Sequence, residues 1–202
     1  MRFRAVFVDF GGVIMQTEDK GPRTRQAERL GMTFRDLEKI FFESDSSQRA
    51  STGEIPEEAH WQAVTETLGI SRAEADKIIA EFFSGDRADA ALLDFLRSLR
   101  PERKVGLISN AWSGLRAFIT SQKFEDVFDE MIISAEVGLV KPDPRIYRLA
   151  LEKMGAQPEE SVFVDDVLVN VEAAHSIGMS AIQFTHPEKT LEELKQLLSN
   201  HR

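Results

Sequence analysis

Acidic side chains stand at the ends of two apolar runs in this sequence. Asp9 follows "RAVFV" (4–8), and Asp165 with Asp166 closes "SVFVDD" (161–166). A carboxylate can attack phosphorus to give an acyl phosphate that water then hydrolyses, and hard cations such as Mg²⁺ prefer oxygen ligands of this kind. Two adjacent buried acids are costly unless a cation or hydrogen-bond donors compensate them. These three residues are therefore candidates for a nucleophile and a metal site.

The apolar runs indicate which elements carry these acids. Five short runs are rich in β-branched or aromatic residues, as expected for parallel strands covered on both faces: 4–10, 104–110, 130–134, 161–166 and 180–184. Leu92, Leu96 and Leu99 recur at helical spacing, and Thr190 with Glu193 forms a capping box that predicts the start of the last helix. We therefore predict an α/β fold, a doubly wound parallel five-stranded sheet with a Rossmann-like core. Ligands bind such sheets at the carboxyl ends of the strands.

Residues 16–85 break the alternation of strands and helices. They show helical patterns only, for instance Phe34, Leu37 and Phe41, and the segment 84–89 is typical of a break after a helix. We therefore expect no strand in this region. The simplest interpretation is an α-helical cap domain over residues 16–85, inserted into an α/β catalytic core domain formed by residues 1–15 and 86–202.

Composition excludes several classes of function. The formal charge is −9, from 34 acidic and 25 basic residues, and no dense Lys/Arg block is present. Nucleic acid and anionic membrane surfaces are therefore not expected partners. The chain has no cysteine, which excludes disulfides and thiolate nucleophiles, and no apolar run approaches the length of a membrane span. We expect a cytoplasmic protein, monomeric or homodimeric, that acts on a small molecule.

Four short motifs follow one another along the chain: "DFGGV" (9–13), "ISNAW" (108–112), "GLVKPDP" (138–144) and "FVDDVLVNVEAA" (163–174). In this order they resemble the haloacid dehalogenase (HAD) superfamily, in its phosphatase branch with a helical cap inserted after the first motif. Subfamilies near the N-terminal phosphatase domain of epoxide hydrolases, and certain sugar phosphatases, resemble this variant. The resemblance covers nearly the whole chain. It implies a Mg²⁺-dependent phosphatase that forms an aspartyl phosphate on Asp9.

The resemblance also implies how phosphate would be bound. Lys141 matches the catalytic lysine that pairs with nucleophile and phosphate, where a fixed ammonium offsets the negative charge of the transition state. Ser109 matches the phosphate-binding Ser/Thr position, and Asn110 is its neighbour. Phe10 and Gly11 would offer their backbone N–H groups to phosphate.

The metal site would draw on the first and last motifs. Asp9, the backbone carbonyl of Gly11, Asp165 and Asp166 are the expected ligands, with Asp166 the nearer of the two adjacent acids. Asn170 would hold the ligand side chains in position without binding the metal itself.

One position departs from the family pattern. Most phosphatases of this superfamily place a second Asp two residues after the nucleophile, as general acid and base, and here that residue is Gly11. Loss of a positioned acid typically lowers the rate about 10²- to 10⁴-fold. Our main hypothesis is a phosphohydrolase of small phosphorylated metabolites, slow on poor leaving groups. The alternatives are a metal-independent 2-haloacid dehalogenase, which the paired acids argue against, or a catalytically weak binding or regulatory protein.

Overall fold

The computed structural model describes residues 3–199, so residues 1–2 and 200–202 of the predicted core range lie outside the described part. Its strands are β1 (Ala5–Val8), β2 (Met15–Thr17), β3 (Asp86–Ala88), β4 (Lys104–Ser109), β5 (Glu130–Ile133), β6 (Ser161–Asp165) and β7 (Ser180–Gln183). Five of these strands form a parallel sheet in the order β5-β4-β1-β6-β7. The predicted α/β fold with a five-stranded parallel sheet is therefore confirmed.

Helices cover both faces of this sheet and form most of the region between β2 and β3. They are α1 (Gly21–Arg29), α2 (Phe34–Glu38), α3 (Asp45–Ser51), α4 (Glu57–Leu68), α5 (Arg72–Phe82), α6 (Ala90–Ser98), α7 (Leu115–Ser121), α8 (Ser134–Val137), α9 (Pro144–Met154), α10 (Leu168–Ser176) and α11 (Pro187–Ser199). Leucines of α6 and α11 pack on one face of the sheet, and apolar residues of α9 and α10 pack on the other. This two-sided cover explains why the strand sequences are continuously apolar.

The central strand β1 brings the site residues together. Val6 and Val8 enter the core on one face of the sheet, while Ala5 and Phe7 enter the core on the other. Because β1 pairs with both β4 and β6, the residue that follows it lies between the carboxyl ends of its two neighbours. Asp9 therefore lies beside the ends of β4 and β6, where Ser109 and Asp165 are found.

Our expectation that residues 16–85 contain no strand is wrong at its edge. β2 pairs antiparallel with β3, with Gln16 opposite Arg87, so the segment interpreted as a break also holds a strand. Each strand is three residues long, too short to show the alternation on which strand prediction rests. Helices α1 to α5 lie between these strands and share an apolar cluster of their own, which includes Leu37, Trp61 and Phe82. The division into core and cap stays a prediction, and this arrangement is consistent with it.

The predicted start of the last helix is also wrong. α11 begins at Pro187 rather than at Thr190, which is buried inside the helix, where its Oγ1 accepts a bond from the backbone N–H of Thr185 at 3.4 Å. Proline suits the first helical position because the N–H that it lacks would have no partner there. Within residues 3–199, no helix has the length and apolar character needed to cross a membrane.

Candidate active site

A buried lysine lies between two carboxylates at the end of the central strand. The Lys141 Nζ atom is 2.9 Å from Asp9 Oδ2 and 2.6 Å from Asp165 Oδ2. The Lys141 side chain is 1% exposed, and the backbone N–H of Asp9 donates to Val164 O of β6 at 2.9 Å. Nucleophile candidate and ammonium are therefore held in direct contact on a rigid frame.

Asn110 holds the backbone of Lys141. Its Nδ2 donates to Lys141 O at 2.8 Å, and the Lys141 N–H donates to Asn110 Oδ1 at 2.7 Å. Just beyond, the carboxylate of Asp143 accepts the Arg145 N–H at the start of α9. Sequence reasoning missed this clamp, because no local pattern connects residues 31 positions apart. With its side-chain amide engaged, the predicted phosphate contact of Asn110 would fall to its backbone N–H, and it stays a prediction.

This clamp gives a first prediction. Replacing Asn110 with alanine removes both hydrogen bonds and leaves a backbone N–H and a carbonyl unpaired, at about 1–3 kcal/mol of unfolding free energy. We expect Lys141 to lose its fixed position and kcat for an activated phosphate ester to fall at least about tenfold. Steady-state kinetics on samples checked by thermal unfolding measures both effects. An unchanged kcat in a destabilised protein would show that the clamp serves stability alone.

The carboxylate of Asp165 is fully engaged with the protein. Its Oδ1 accepts from the Val167 N–H at 2.8 Å, and its oxygens lie 3.1 and 3.2 Å from Asn170 Nδ2, in addition to the contact with Lys141. Asp166 is half-buried, and its carboxylate interacts with its own backbone N–H but, among the described residues, accepts no hydrogen bond from another side chain. Asn170 therefore holds Asp165 directly, and Asp166 keeps its oxygens available for an external ligand. This is consistent with the expectation that Asp166 is the nearer metal ligand.

Negative charge exceeds positive charge at this point. Ligand oxygens of Asp9, Asp165 and Asp166 all lie within 4.8 Å of one another, and Lys141 is the ammonium among them. Burial raises the pKa of Asp9 to about 6, against the opposing effect of Lys141 and with a further increase from Asp165. Burial, and then Asp165, raise the pKa of Asp166 as well. A hard divalent cation with oxygen ligands fits this donor set, because it would supply the missing positive charge.

Of the two positions after Phe10, only position 12 requires a glycine on steric grounds. Gly12 has φ +78° and faces the Asp166 carboxylate, with which a Cβ at position 12 would clash. Gly12 is therefore needed both for its backbone conformation and for the close approach of Asp166. At Gly11 a Cβ would meet no atom within 4 Å, and the backbone φ lies outside the left-handed region. No steric reason requires glycine at position 11.

The remaining phosphate candidates lie at the same edge of the sheet. Ser109 is buried at the end of β4 and lines the cavity described below. The Phe10 N–H donates to Asp9 Oδ1 at 2.7 Å, so binding of phosphate by this group would require that bond to be exchanged. Gly11 also lines the cavity. The phosphate-binding roles of these residues stay predictions.

A cavity of about 1310 Å³ opens in front of the site. Its floor includes Gly11, Gly12 and Ser109, and its opposite wall comes from helices between β2 and β3. Trp112, which follows β4, stacks on Phe42 with ring centroids 5.8 Å apart and an interplanar angle of 8°. The cavity therefore lies between the sheet edge and the helices of the predicted cap, and it is open to solvent.

Comparison with known proteins decides the family. The model of the haloacid dehalogenase-like hydrolase family matches residues 3–178, most of the chain. The chain belongs to this family. The recognition of the superfamily from four motifs is thereby confirmed, and the protein is a HAD-like hydrolase.

Relatives of this HAD-like hydrolase include complete proteins and parts of longer ones. Bifunctional epoxide hydrolase 2 of Sus scrofa is 27% identical over 98% of this chain, which spans 39% of that protein. The chain thus covers well under half the length of some curated relatives that it matches. Sesquiterpene phosphatase astK of Aspergillus oryzae is 27% identical over 97% of each chain. The HAD family enzyme bt-2542 of Bacteroides thetaiotaomicron, solved with magnesium and inorganic phosphate, superposes with a TM-score of 0.77 at 24% identity, over 91% of this chain and 94% of that one.

Proposed function

We propose that this protein is a Mg²⁺-dependent phosphatase of small phosphorylated molecules that acts through an aspartyl phosphate on Asp9. The observation that carries the proposal is the buried contact of Asp9 with Lys141, next to the available carboxylate of Asp166. The sesquiterpene phosphatase relative and the magnesium and phosphate complex of the Bacteroides enzyme support it.

Asp9 and Lys141 would perform the covalent step. Asp9 Oδ attacks phosphorus while the bond from phosphorus to the leaving-group oxygen breaks, and water then hydrolyses the acyl phosphate to release phosphate and regenerate the carboxylate. Lys141, fixed 2.9 Å from Asp9, offsets the repulsion between carboxylate and phosphate. Because Gly11 offers no acid, the departing alkoxide takes its proton from water, so alkyl esters should react more slowly than esters of more acidic alcohols.

We expect Asp9, Asp166 and the Gly11 carbonyl to hold the metal. Asp165 stays a predicted ligand, although its carboxylate already accepts from Lys141, Val167 and Asn170. When bound, Mg²⁺ supplies positive charge that binds and polarises phosphate oxygens. The chain's own contribution is to hold these oxygens together: Gly12 leaves space for the Asp166 carboxylate, and Asn170 fixes Asp165.

The test is phosphate release with and without Mg²⁺. We expect the protein to hydrolyse acetyl phosphate and p-nitrophenyl phosphate with Mg²⁺ and to lose this activity in EDTA, with Asp166→Asn raising the Mg²⁺ concentration required. Activity that persists unchanged in EDTA would contradict the proposal. Release of halide from a 2-haloacid in EDTA would instead identify a dehalogenase, and the absence of both activities would favour the regulatory alternative.

A further inference from the structure

The cavity wall carries aromatic rings that the protein itself does not cover. Phe42 is 40% exposed and Phe118 is 41% exposed, although both are large apolar side chains, and both line the cavity. Trp61, Phe83 and Trp112 line it as well. Large apolar side chains left exposed on one continuous surface typically mark a ligand or partner site.

Three of the four charged side chains in this wall are already paired, and the fourth, the exposed Arg87, donates its Nη1 to Ser84 O and Asp86 O at 2.8 and 2.7 Å. Arg23 Nη2 lies 2.8 Å from both oxygens of Asp86, and its guanidinium lies 4.6 Å from the ring centroid of Phe82. Glu57 accepts hydrogen bonds from Trp61 Nε1 at 3.0 Å and from the Gly114 N–H at 2.7 Å. Arg23, Asp86 and Glu57 therefore hold the wall together and have little capacity left to bind a ligand.

Several uncharged polar groups of the wall are engaged in the same way. Ser47 Oγ donates to Phe42 O at 3.0 Å and accepts from Trp112 Nε1 at 3.3 Å, and Gln48 Nε2 donates to Glu43 O at 3.2 Å. Thr52 Oγ1 donates to Arg49 O at 3.0 Å. A polyol such as a sugar phosphate needs many free hydrogen-bond partners to replace water, and Ser47, Gln48 and Thr52 already use part of the hydrogen-bonding capacity of this wall.

The volume of the cavity indicates a large substrate. Ligand pockets for small organic molecules usually occupy about 300–1,000 Å³, and this cavity of about 1310 Å³ is larger. It begins at Gly11 and Ser109, on the edge that carries Asp9, and it extends to Phe42 and Phe118. A phosphate bound beside Asp9 would therefore direct its organic part along the aromatic wall.

We propose that the substrate is a phosphate monoester of a large apolar alcohol, whose hydrocarbon part lies against Phe42, Trp112 and Phe118. The proposal rests on the proposed function for the phosphate end and defines the substrate class at the other end. Phe42 and Phe118 are the specificity-determining residues, because an apolar chain covers rings that otherwise stay in contact with water. Each methylene that becomes buried contributes up to about a fourfold gain in affinity.

A chain-length series tests this proposal. Ethyl, butyl, hexyl and octyl phosphate and ribitol 5-phosphate are all primary alkyl esters, so the leaving-group chemistry is nearly constant. Trp61 and Trp112 are the only tryptophans of the chain, and both line the cavity, so intrinsic fluorescence can report binding to the Asp9→Asn variant without turnover. We expect Kd for octyl phosphate to be at least about 100-fold lower than for ethyl phosphate, with ribitol 5-phosphate no tighter than ethyl phosphate.

Matched variants show which residues cause the dependence of Kd on chain length. Phe42→Ala and Phe118→Ala should each reduce the ratio of ethyl to octyl Kd about tenfold. Leu168→Ala truncates a side chain that is 52% exposed and outside the cavity wall, and it should keep the ratio of the parent. Because each variant is judged by a ratio, a fraction of unfolded protein cancels.

The two proposals fail in different ways. A flat chain-length series, or tighter binding of ribitol 5-phosphate than of octyl phosphate, would overturn the apolar substrate class even in a protein that hydrolyses acetyl phosphate. A steep series in a protein that hydrolyses no phosphate ester would support the apolar site and contradict the phosphatase.

Discussion

Asp9→Asn is expected to lower kcat for phosphate release about 10⁴-fold or more. The amide has no anionic oxygen to attack phosphorus, and the covalent intermediate cannot form in another way at this site. Lys141 keeps its contact with Asp165 at 2.6 Å, so the variant should retain the geometry around the lost nucleophile. Discontinuous assay of phosphate release with Mg²⁺ and acetyl phosphate measures the effect.

The same substitution is expected to stabilise the metal-free protein. Burial raises the pKa of Asp9 from 3.8 to about 6, so the folded state binds this proton more tightly than the unfolded state does. The resulting stability is fully present below about pH 4 and is lost as the pH rises through about 6. At about pH 7.5 in EDTA, the Asp9→Asn substitution would remove an unfavourable charge worth up to about 3 kcal/mol.

Thermal unfolding measured over a range of pH tests whether Asp9→Asn stabilises the metal-free protein. The Tm advantage of Asp9→Asn over the parent in EDTA should be largest near about pH 7.5 and should shrink towards about pH 4.5. Asp94→Asn is the matched control, since Asp94 is 78% exposed on α6, and it should leave activity and the pH profile as in the parent. An inactive Asp9→Asn protein that is also less stable than the parent at neutral pH would point to misfolding rather than to a lost nucleophile.

The sheet and the acidic cluster were predictable because their signals are local. Each buried parallel strand shows its continuous apolar run, and the residue at its end then lies at a known edge of the sheet. Asp9, Ser109 and Asp165 could therefore be placed together from the sequence alone. The family resemblance added the expected role of Lys141, which lies on a loop that has no strand signal.

The parts that sequence reasoning missed depend on contacts between distant segments. The clamp of Asn110 on Lys141 and the ribbon of β2 with β3 join residues far apart in the chain, and neither leaves a periodic pattern. The apolar wall of the cavity could not be predicted from the sequence, for a different reason. Phe42 and Phe118 look like ordinary core residues in helical segments, and only the fold shows that their rings remain exposed.

Gly11→Asp is expected to raise kcat for esters with poor leaving groups about 10²-fold or more. The substitution supplies the acid that most phosphatases of this superfamily carry at this position, and a positioned acid typically contributes about 10²- to 10⁴-fold. The site can accept it, because a Cβ on Gly11 meets no atom within 4 Å and the side chain would start from the cavity floor. A fourth carboxylate beside Asp9 adds repulsion, so the gain should require saturating Mg²⁺.

The comparison of two leaving groups identifies the cause of any gain. Protonation of the leaving oxygen matters for an alkyl ester and little for p-nitrophenyl phosphate, so Gly11→Asp should improve the first substrate far more than the second. Gly11→Asn has nearly the same shape without a proton to give, and it should leave the ratio of the two rates unchanged. If the two substitutions gave equal rates on the alkyl ester, general-acid catalysis would not be what Gly11 lacks. The protein would then release its leaving groups with a proton from another source.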